Sequence, residues 1–138
     1  MSENKILRIY VDGVFDIVHY GHMRLFEQIK QQFPNCHLIA GVCNDLETKL
    51  YKRECIMSNQ ERCETLRHIK WVDQIISSSP WIITEQFMDH YSIDLVCHDP
   101  KPTSDFDEYS VPKKLGKYYE TYRTEGISTS DIIKRIKF

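Results

Sequence analysis

Strand-like runs alternate with helix-like segments along this sequence, and that order constrains the fold more than any other feature. Five runs rich in β-branched and other apolar residues read as strands, at residues 6–11, 37–43, 72–76, 93–97 and 118–122. Helical spacing or capping residues indicate helices near residues 23–33, 61–70, 84–90 and 128–137. Helices that connect successive strands imply parallel crossovers, so we expect an α/β fold with a mostly parallel sheet flanked by helices on both faces.

Length and charge exclude several classes of protein. A chain of 138 residues is the size of one domain, so we expect a single domain over residues 1–138. Its net charge of -2 provides no positive field to hold a polyanion, which argues against a nucleic-acid partner. No apolar run approaches the ~20 residues of a membrane-spanning helix, so we expect a cytoplasmic protein without an intrinsic membrane segment. The five cysteines form no C-x-x-C pair and are expected to be reduced thiols.

Two histidines form a candidate anion site at the start of the first predicted helix. His19 and His22 stand three residues apart, with Gly21 between them. A helix N-terminus presents unpaired N–H groups and a positive dipole, so two imidazoles there suit phosphate oxygens. The same spacing fits a zinc pair or two internally hydrogen-bonded histidines, and spacing alone leaves these interpretations open. Gly21 favours phosphate, because a glycine lets the backbone approach a ligand closely.

Residues 123–130 form a second candidate anion site, directly before the last predicted helix. This segment combines Arg123 with several hydroxyls and a glycine. Ser128 or Thr129 can be explained as helix caps, but Arg123 is not needed for capping, and its forked donors suit phosphate oxygens. Lys49 and Lys52 follow the second predicted strand at the same edge of the sheet, where each fits either a phosphate or a solvated turn.

Aromatic and acidic residues suggest a cation site near the same edge. Aromatic faces attract quaternary ammonium groups, although single aromatic residues also fit core packing. The candidates are Trp81, Tyr109, Tyr118 and Tyr119. Asp12 and Asp16 follow the first predicted strand, where carboxylates beside a phosphate site need a cation such as magnesium or an ammonium group.

Taken together, residues 12–16 (DGVFD), 19–22 (HYGH) and 123–130 (RTEGISTS) resemble the cytidylyltransferase family over nearly the whole chain. Residues 50–52, 71–73, 79–81 and 98–99 are similar to the branch of that family that makes CDP-choline. The resemblance implies a Rossmann-like nucleotidyltransferase fold. It also implies transfer of a cytidylyl group from CTP to phosphocholine with release of pyrophosphate, in phosphatidylcholine synthesis.

The resemblance also implies roles for individual residues. Those matching the catalytic positions are His19, His22, Lys52 and Arg123. Those matching CTP-binding positions are Val14, Phe15, Asp16, His19, His22, Lys52, His98, Asp99, Tyr122, Arg123, Thr124, Glu125, Gly126, Ser128 and Thr129. Those matching phosphocholine-binding positions are Asp12, Lys52, Trp81 and Tyr109. Magnesium is expected to come with the triphosphate of CTP, without a dedicated protein metal site, and relatives of this kind imply a homodimer.

The sequence departs from the family pattern at two positions. Thr103 stands where the family has a tyrosine of the choline cage, and Arg53 replaces a glycine after the loop lysine, where it is expected to stiffen the loop. The alternatives are a phosphoethanolamine cytidylyltransferase, a glycerol-phosphate enzyme, and a non-catalytic nucleotide-binding module. Trp81 and Glu125 favour choline, and the intact set of His19, His22, Lys52 and Arg123 argues against a module without catalysis.

Overall fold

One parallel sheet organises the chain. The structure, a computed structural model, describes residues 5–100 and 106–136. The strands within these ranges are β1 (Arg8–Gly13), β2 (His37–Cys43), β3 (Gln74–Ser79), β4 (Leu95–His98) and β5 (Tyr118–Glu120). The helices are α1 (Tyr20–Gln32), α2 (Asp45–Tyr51), α3 (Asn59–Arg67), α4 (Glu85–His90), α5 (Ser110–Lys114) and α6 (Thr129–Arg135). Every strand pair in the sheet is parallel, which confirms the predicted α/β fold.

The sheet order is β3-β2-β1-β4-β5, so the chain reverses direction across the sheet at β1. Tyr10 of β1 lies opposite Ile39 of β2 on one side and Val96 of β4 on the other. In doubly wound sheets, the crevice at such a switch point, outside the carboxyl ends of the strands, is where ligands bind. The residues that follow β1 and β4 therefore border the expected ligand site.

Both faces of the sheet are buried. Successive side chains of β1 point to opposite faces, and they belong to two different core clusters. Ile9 and Val11 pack with Phe26 and Ile29 of α1 and with Leu66 of α3. On the other face Tyr10 packs in a second cluster with Ile83, Met88 of α4, Ile93 and Tyr109. The predicted helices on both faces are thus confirmed. None of the helices within the described ranges is long and apolar enough to cross a membrane.

Helices α2 and α5 were not predicted, and β3 starts later than expected. Helix α2 occupies the stretch interpreted as a polar turn, where Asn44 caps it by accepting the backbone N–H of Glu47 at 2.7 Å. Helix α5 lies between the fourth and fifth strands, where the sequence analysis predicted no helix. Strand β3 runs over Gln74–Ser79 rather than 72–76. Helix α2 has 7 residues and α5 has 5, which is fewer than two full turns in each case. A helix this short does not repeat its apolar positions often enough to show a periodic pattern.

Candidate active site

Two adjoining cavities open at the carboxyl ends of β1 and β4. The larger has a volume of about 510 Å³ and the smaller about 340 Å³. Five residues border both cavities: Asp12, Gly13, Val14, Lys52 and His98. Because they share this border, ligands held in the two cavities would meet there. Such geometry suits a reaction between two bound substrates.

The two predicted histidines line the larger cavity and cap α1 reciprocally. The Nδ1 atom of His19 accepts the backbone N–H of Gly21 at 3.1 Å, and Nδ1 of His22 accepts the backbone N–H of His19 at 3.2 Å. Their ring centroids are 4.0 Å apart. A ring whose Nδ1 accepts a hydrogen bond carries its proton on Nε2 when it is neutral. Each imidazole is therefore fixed as an Nε2–H donor at the cavity wall.

Position 21 has no room for a side chain, so it requires glycine. A Cβ atom at this position would lie 2.9 Å from Cε1 of His19 and 3.2 Å from Cγ2 of Ile127. Any side chain would therefore push the His19 ring out of its capping position. Within the described ranges, no group of three His, Cys, Asp or Glu side chains is placed to hold a metal ion. The pair is thus hydrogen-bonded within the protein through Nδ1, and these bonds leave the phosphate interpretation open because they do not use Nε2.

Both histidines are neutral at ordinary pH. Burial, followed by the nearby His19 ring, lowers the pKa of His22 to about 3. Burial, followed by the charge of Arg123, lowers the pKa of His19. The pair therefore offers two neutral N–H donors rather than two acids.

We expect the imidazole of His22 to remain neutral, with its proton on Nε2, as the free protein is acidified from pH 8 to pH 5. The folded state binds this proton less readily than the unfolded chain, whose histidines titrate near pH 6.5. Between about pH 6.5 and pH 3 the unfolded chain binds a proton at His22 that the folded protein does not bind. The free energy of unfolding therefore decreases as the pH falls through this range. Long-range ¹H–¹⁵N NMR, with the His22 signal assigned from a His22→Gln variant, measures both tautomer and titration. Titration of this ring between pH 6 and 7 would contradict the expectation.

Asp16 holds the segment that follows Lys52. Its buried carboxylate accepts Nη1 of Arg53 at 3.0 Å and the backbone N–H groups of Ile56 and Met57 at 2.8 and 2.9 Å. Arg53, the residue that departs from the family pattern, thus ties this loop to the segment that follows β1. Asp16 borders the larger cavity as predicted, but its oxygens are already engaged within the protein.

Arg62, which the sequence analysis did not single out, connects three segments around the larger cavity. Its guanidinium is fully buried in α3 and donates to the carbonyl oxygens of Val14 at 2.7 Å and Met57 at 3.2 Å, and it pairs with Asp45 of α2. A buried charge is tolerated when it is paired and hydrogen-bonded in this way. The sequence alone does not mark Arg62, because the partners Val14 and Asp45 are far from it in the chain.

The segment around Arg123 is attached to α1 by Gln28. The side-chain amide of Gln28 donates to the carbonyl oxygen of Tyr122 at 3.0 Å and accepts its backbone N–H at 2.7 Å. Thr129 donates from Oγ1 to the carbonyl oxygen of Asp16 at 2.8 Å. These bonds bring Arg123 to the same cavity as the histidine pair.

Most residues predicted to bind CTP border the larger cavity. They are Val14, Phe15, Asp16, His19, His22, Lys52, His98, Asp99, Tyr122, Arg123, Thr124 and Thr129. Glu125, Gly126 and Ser128 lie outside its lining. Gly126 adopts a positive φ of 87°, and Ser128 caps α6 by accepting the backbone N–H of Asp131 at 3.1 Å. Residues that border the cavity without having been predicted for it include Leu25, Thr48, Arg53, Ile127 and Ser130.

The smaller cavity is lined by aromatic and acidic residues. The Tyr109 hydroxyl donates to the buried Asp12 carboxylate at 2.8 Å, and the Tyr109 ring stacks on His98 with centroids 4.5 Å apart. Burial raises the pKa of Asp12. The residues predicted to bind phosphocholine, Asp12, Lys52, Trp81 and Tyr109, all border this cavity.

Beyond the border that the two cavities share, the smaller cavity is also lined by three residues that were not predicted for it: Cys43, Tyr51 and Glu108. Tyr118 and Tyr119, the candidates for an additional aromatic wall, lie outside its lining. The ring centroids of Tyr118 and Tyr109 are 6.0 Å apart. Tyr119 packs edge-on against Phe33, with ring centroids 5.2 Å apart. Thr103 falls outside the described residues.

A parallel sheet with donors at a helix N-terminus beside its switch point defines a Rossmann-like α/β domain. The cytidylyltransferase-like family model matches residues 10–135, and the chain belongs to this family.

Individual relatives agree with this family. The chain is 49% identical to choline-phosphate cytidylyltransferase 2 of Arabidopsis thaliana, over 98% of its own length and 46% of the relative's. It is 36% identical to the ethanolamine-phosphate cytidylyltransferase of the same organism, over 99% of its length and 34% of the relative's. The chain thus spans less than half of these relatives.

A solved structure shares the fold. The lipopolysaccharide core biosynthesis protein of Thermoplasma volcanium GSS1 aligns with a TM-score of 0.67, covering 90% of this chain and all of that one. The two are 21% identical, so the likeness concerns the fold alone.

Proposed function

We propose that this chain transfers a cytidylyl group from CTP to phosphocholine and forms CDP-choline and pyrophosphate. The observation that carries the proposal is the pair of cavities that meet at Lys52. One holds the neutral histidine donors and Arg123, which suit a triphosphate, and the other holds Asp12 and Trp81, which suit an ammonium group. The similarity to a choline-phosphate cytidylyltransferase supports this pairing of substrates.

CTP would occupy the larger cavity. His19 and His22 would donate from Nε2 to oxygens of the α- and β-phosphates, and Arg123 would bridge oxygens farther along the triphosphate. Neutral imidazoles suit this role, because their N–H groups stabilise developing charge without giving up a proton. Of the other residues predicted for CTP, those that line this cavity, apart from Asp16 and Lys52, would hold the ribose and the base.

The reaction would be an in-line displacement at the α-phosphorus of CTP. A phosphate oxygen of phosphocholine forms the new bond to this phosphorus, while the bond from the α-phosphorus to the bridging oxygen breaks and its electron pair leaves with pyrophosphate. Lys52 borders both cavities and would contact both reacting phosphates, which offsets their mutual repulsion. Preorganised donors of this kind act by positioning and electrostatics, without a covalent intermediate.

We propose that magnesium arrives with CTP, held by the triphosphate and water. In the part of the chain that the structure describes, the side chains do not fit a dedicated magnesium site. The carboxylate of Asp16 accepts three hydrogen bonds, that of Asp12 accepts Tyr109, and no triad of ligating residues is present there. The ion would therefore neutralise charge on the substrate, and the protein would act through its own N–H donors.

The proposal is tested by magnesium-dependent release of pyrophosphate from CTP, with phosphocholine, phosphoethanolamine and glycerol 3-phosphate offered separately. We expect phosphocholine to be strongly preferred. Preference for phosphoethanolamine would assign the chain to the branch of its 36% identical relative. Binding of CTP without transfer to any acceptor would overturn the proposal in favour of a nucleotide-binding module.

We also propose that the protein is a cytoplasmic homodimer that serves phosphatidylcholine synthesis. Tyr20 and Met23 support an interface near the histidine pair, because both are exposed apolar residues on the first turn of α1. Sedimentation velocity at assay concentrations is expected to show dimers, and a purely monomeric, fully active sample would refute the dimer.

Replacing Gln28 by methionine is expected to raise the KM for CTP about 5- to 20-fold. Methionine keeps the volume and helix propensity of glutamine but removes both bonds to the Tyr122 backbone, so Arg123 loses its anchored position. The matched control is Gln32→Met, an exposed residue on the same helix. The double variant with Arg123→Ala should show a much smaller effect of Gln28→Met, and full additivity would show that Gln28 does not act through Arg123.

A further inference from the structure

Tyr51 forms an aromatic wall of the smaller cavity together with Trp81. Its ring is the last side chain of α2, and it stacks on the Trp81 indole with centroids 5.1 Å apart and an interplanar angle of 17°. Both rings border the cavity, and the Tyr51 side chain is 54% exposed. A large aromatic residue held half in solvent at the mouth of a cavity is available to a ligand.

We propose that Tyr51 determines specificity for the headgroup, by adding its ring to a stacked aromatic pair with Trp81 that selects a quaternary ammonium group. This inference rests on the proposed function and deepens it. It assigns a further aromatic partner for the cation, at a residue to which the sequence analysis gave no role.

The arrangement of charge orients such a substrate. Lys52 lies at the border of the two cavities, where its ammonium attracts the substrate's phosphate and repels its cation. Asp12 supplies a buried negative charge in the smaller cavity, and the Tyr51 and Trp81 rings supply their electron-rich faces. The phosphate end therefore points to the larger cavity, and the ammonium end contacts the rings.

The chemistry of the wall favours methylated ammonium over a primary amine. A quaternary ammonium has no N–H group to hydrogen-bond and spreads its charge over three methyl groups, so flat aromatic surfaces solvate it well. A primary ammonium loses its bonds to water against such surfaces. A ring lost from the wall should thus cost phosphocholine more than phosphoethanolamine.

Tyr51→Leu, with Tyr51→Phe and Leu50→Ala as matched controls, tests the inference. Leucine keeps an apolar side chain but has no aromatic face, phenylalanine keeps the face, and Leu50 is an exposed neighbour outside the cavity lining. Each protein is assayed with phosphocholine, with phosphoethanolamine, and with 3,3-dimethylbutyl phosphate, the uncharged carbon isostere of phosphocholine. Calorimetric binding of phosphocholine provides a readout that does not depend on turnover.

We expect Tyr51→Leu to lower kcat/KM for phosphocholine roughly 3- to 30-fold and its affinity in parallel. The KM for CTP and the kcat/KM for the neutral isostere should hardly change, and both controls should match the wild type. An equal loss with phosphocholine and the isostere would reduce Tyr51 to packing and overturn the inference, as would no loss at all. A wild-type protein that neither binds nor converts phosphocholine would overturn the proposed function itself.

Discussion

The His22→Asn variant is expected to fold normally and to lose about 10²- to 10³-fold in kcat. The Oδ1 atom of asparagine can take over the role of Nδ1 as acceptor for the His19 backbone N–H, so the cap of α1 is retained. Asparagine is too short to replace the Nε2–H donor at the cavity. Removal of one preorganised donor to a developing oxyanion typically costs this much in rate.

His22→Gln is the complementary variant, because its amide reaches toward the position of Nε2 and fits the Nδ1 position poorly. We expect it to retain more activity than His22→Asn but less thermal stability. Steady-state kinetics with both substrates and thermal unfolding separate these two functions of the ring. Full activity of His22→Asn would remove the histidine from the mechanism, and a loss of folding in both variants would assign it to structure alone.

The Lys52→Met variant is expected to lower kcat about 10²- to 10³-fold and to raise KM for both substrates. Lys52 is the one cation among the residues that border both cavities in the described part of the chain. Without it, the attacking phosphate approaches the α-phosphate of CTP against uncompensated repulsion. Steady-state kinetics with each substrate varied in turn measures the effect.

Lys49→Met is the matched control for Lys52→Met. Lys49 is an exposed residue of α2, three residues before Lys52, and its replacement changes the net charge by the same amount, but it lies outside the lining of both cavities. We expect Lys49→Met to behave like the wild type at physiological ionic strength, where distant surface charges are screened. Similar losses in the two variants would point to the general electrostatic field and would contradict a contact role for Lys52.

The placement of the two histidines was predictable because their geometry is local. His19, Gly21 and His22 lie within one turn, so helix geometry alone places both rings at the same N-terminus. The capping box of Ser58 with Glu61 in α3 is equally local, since the two residues stand three apart in the sequence. The neutral state of His22 was not predictable, because it depends on burial by parts of the chain far from it in sequence.

The residues that sequence reasoning missed depend on partners distant in the chain. Gln28 bonds the backbone 94 residues away, and Arg62 contacts Val14 across 48 residues. Tyr51 belongs to a helix too short to show a periodic pattern, and its stacking on Trp81 depends on the packing of two segments that are separate in the sequence. Each looks like an ordinary helical residue until the packing of the sheet and helices places its partner beside it.

The sequence by itself determined the alternation of strands and helices, and with it the parallel sheet and the edge at which its functional residues gather. It also determined which residues carry chemistry, since donors and charges are properties of the side chains. Only the tertiary structure decided that Lys52 joins two cavities and that Tyr51 faces one of them. The physical reason is that strand order and helix packing, which follow from the burial of both sheet faces, set the distances between segments remote in the chain.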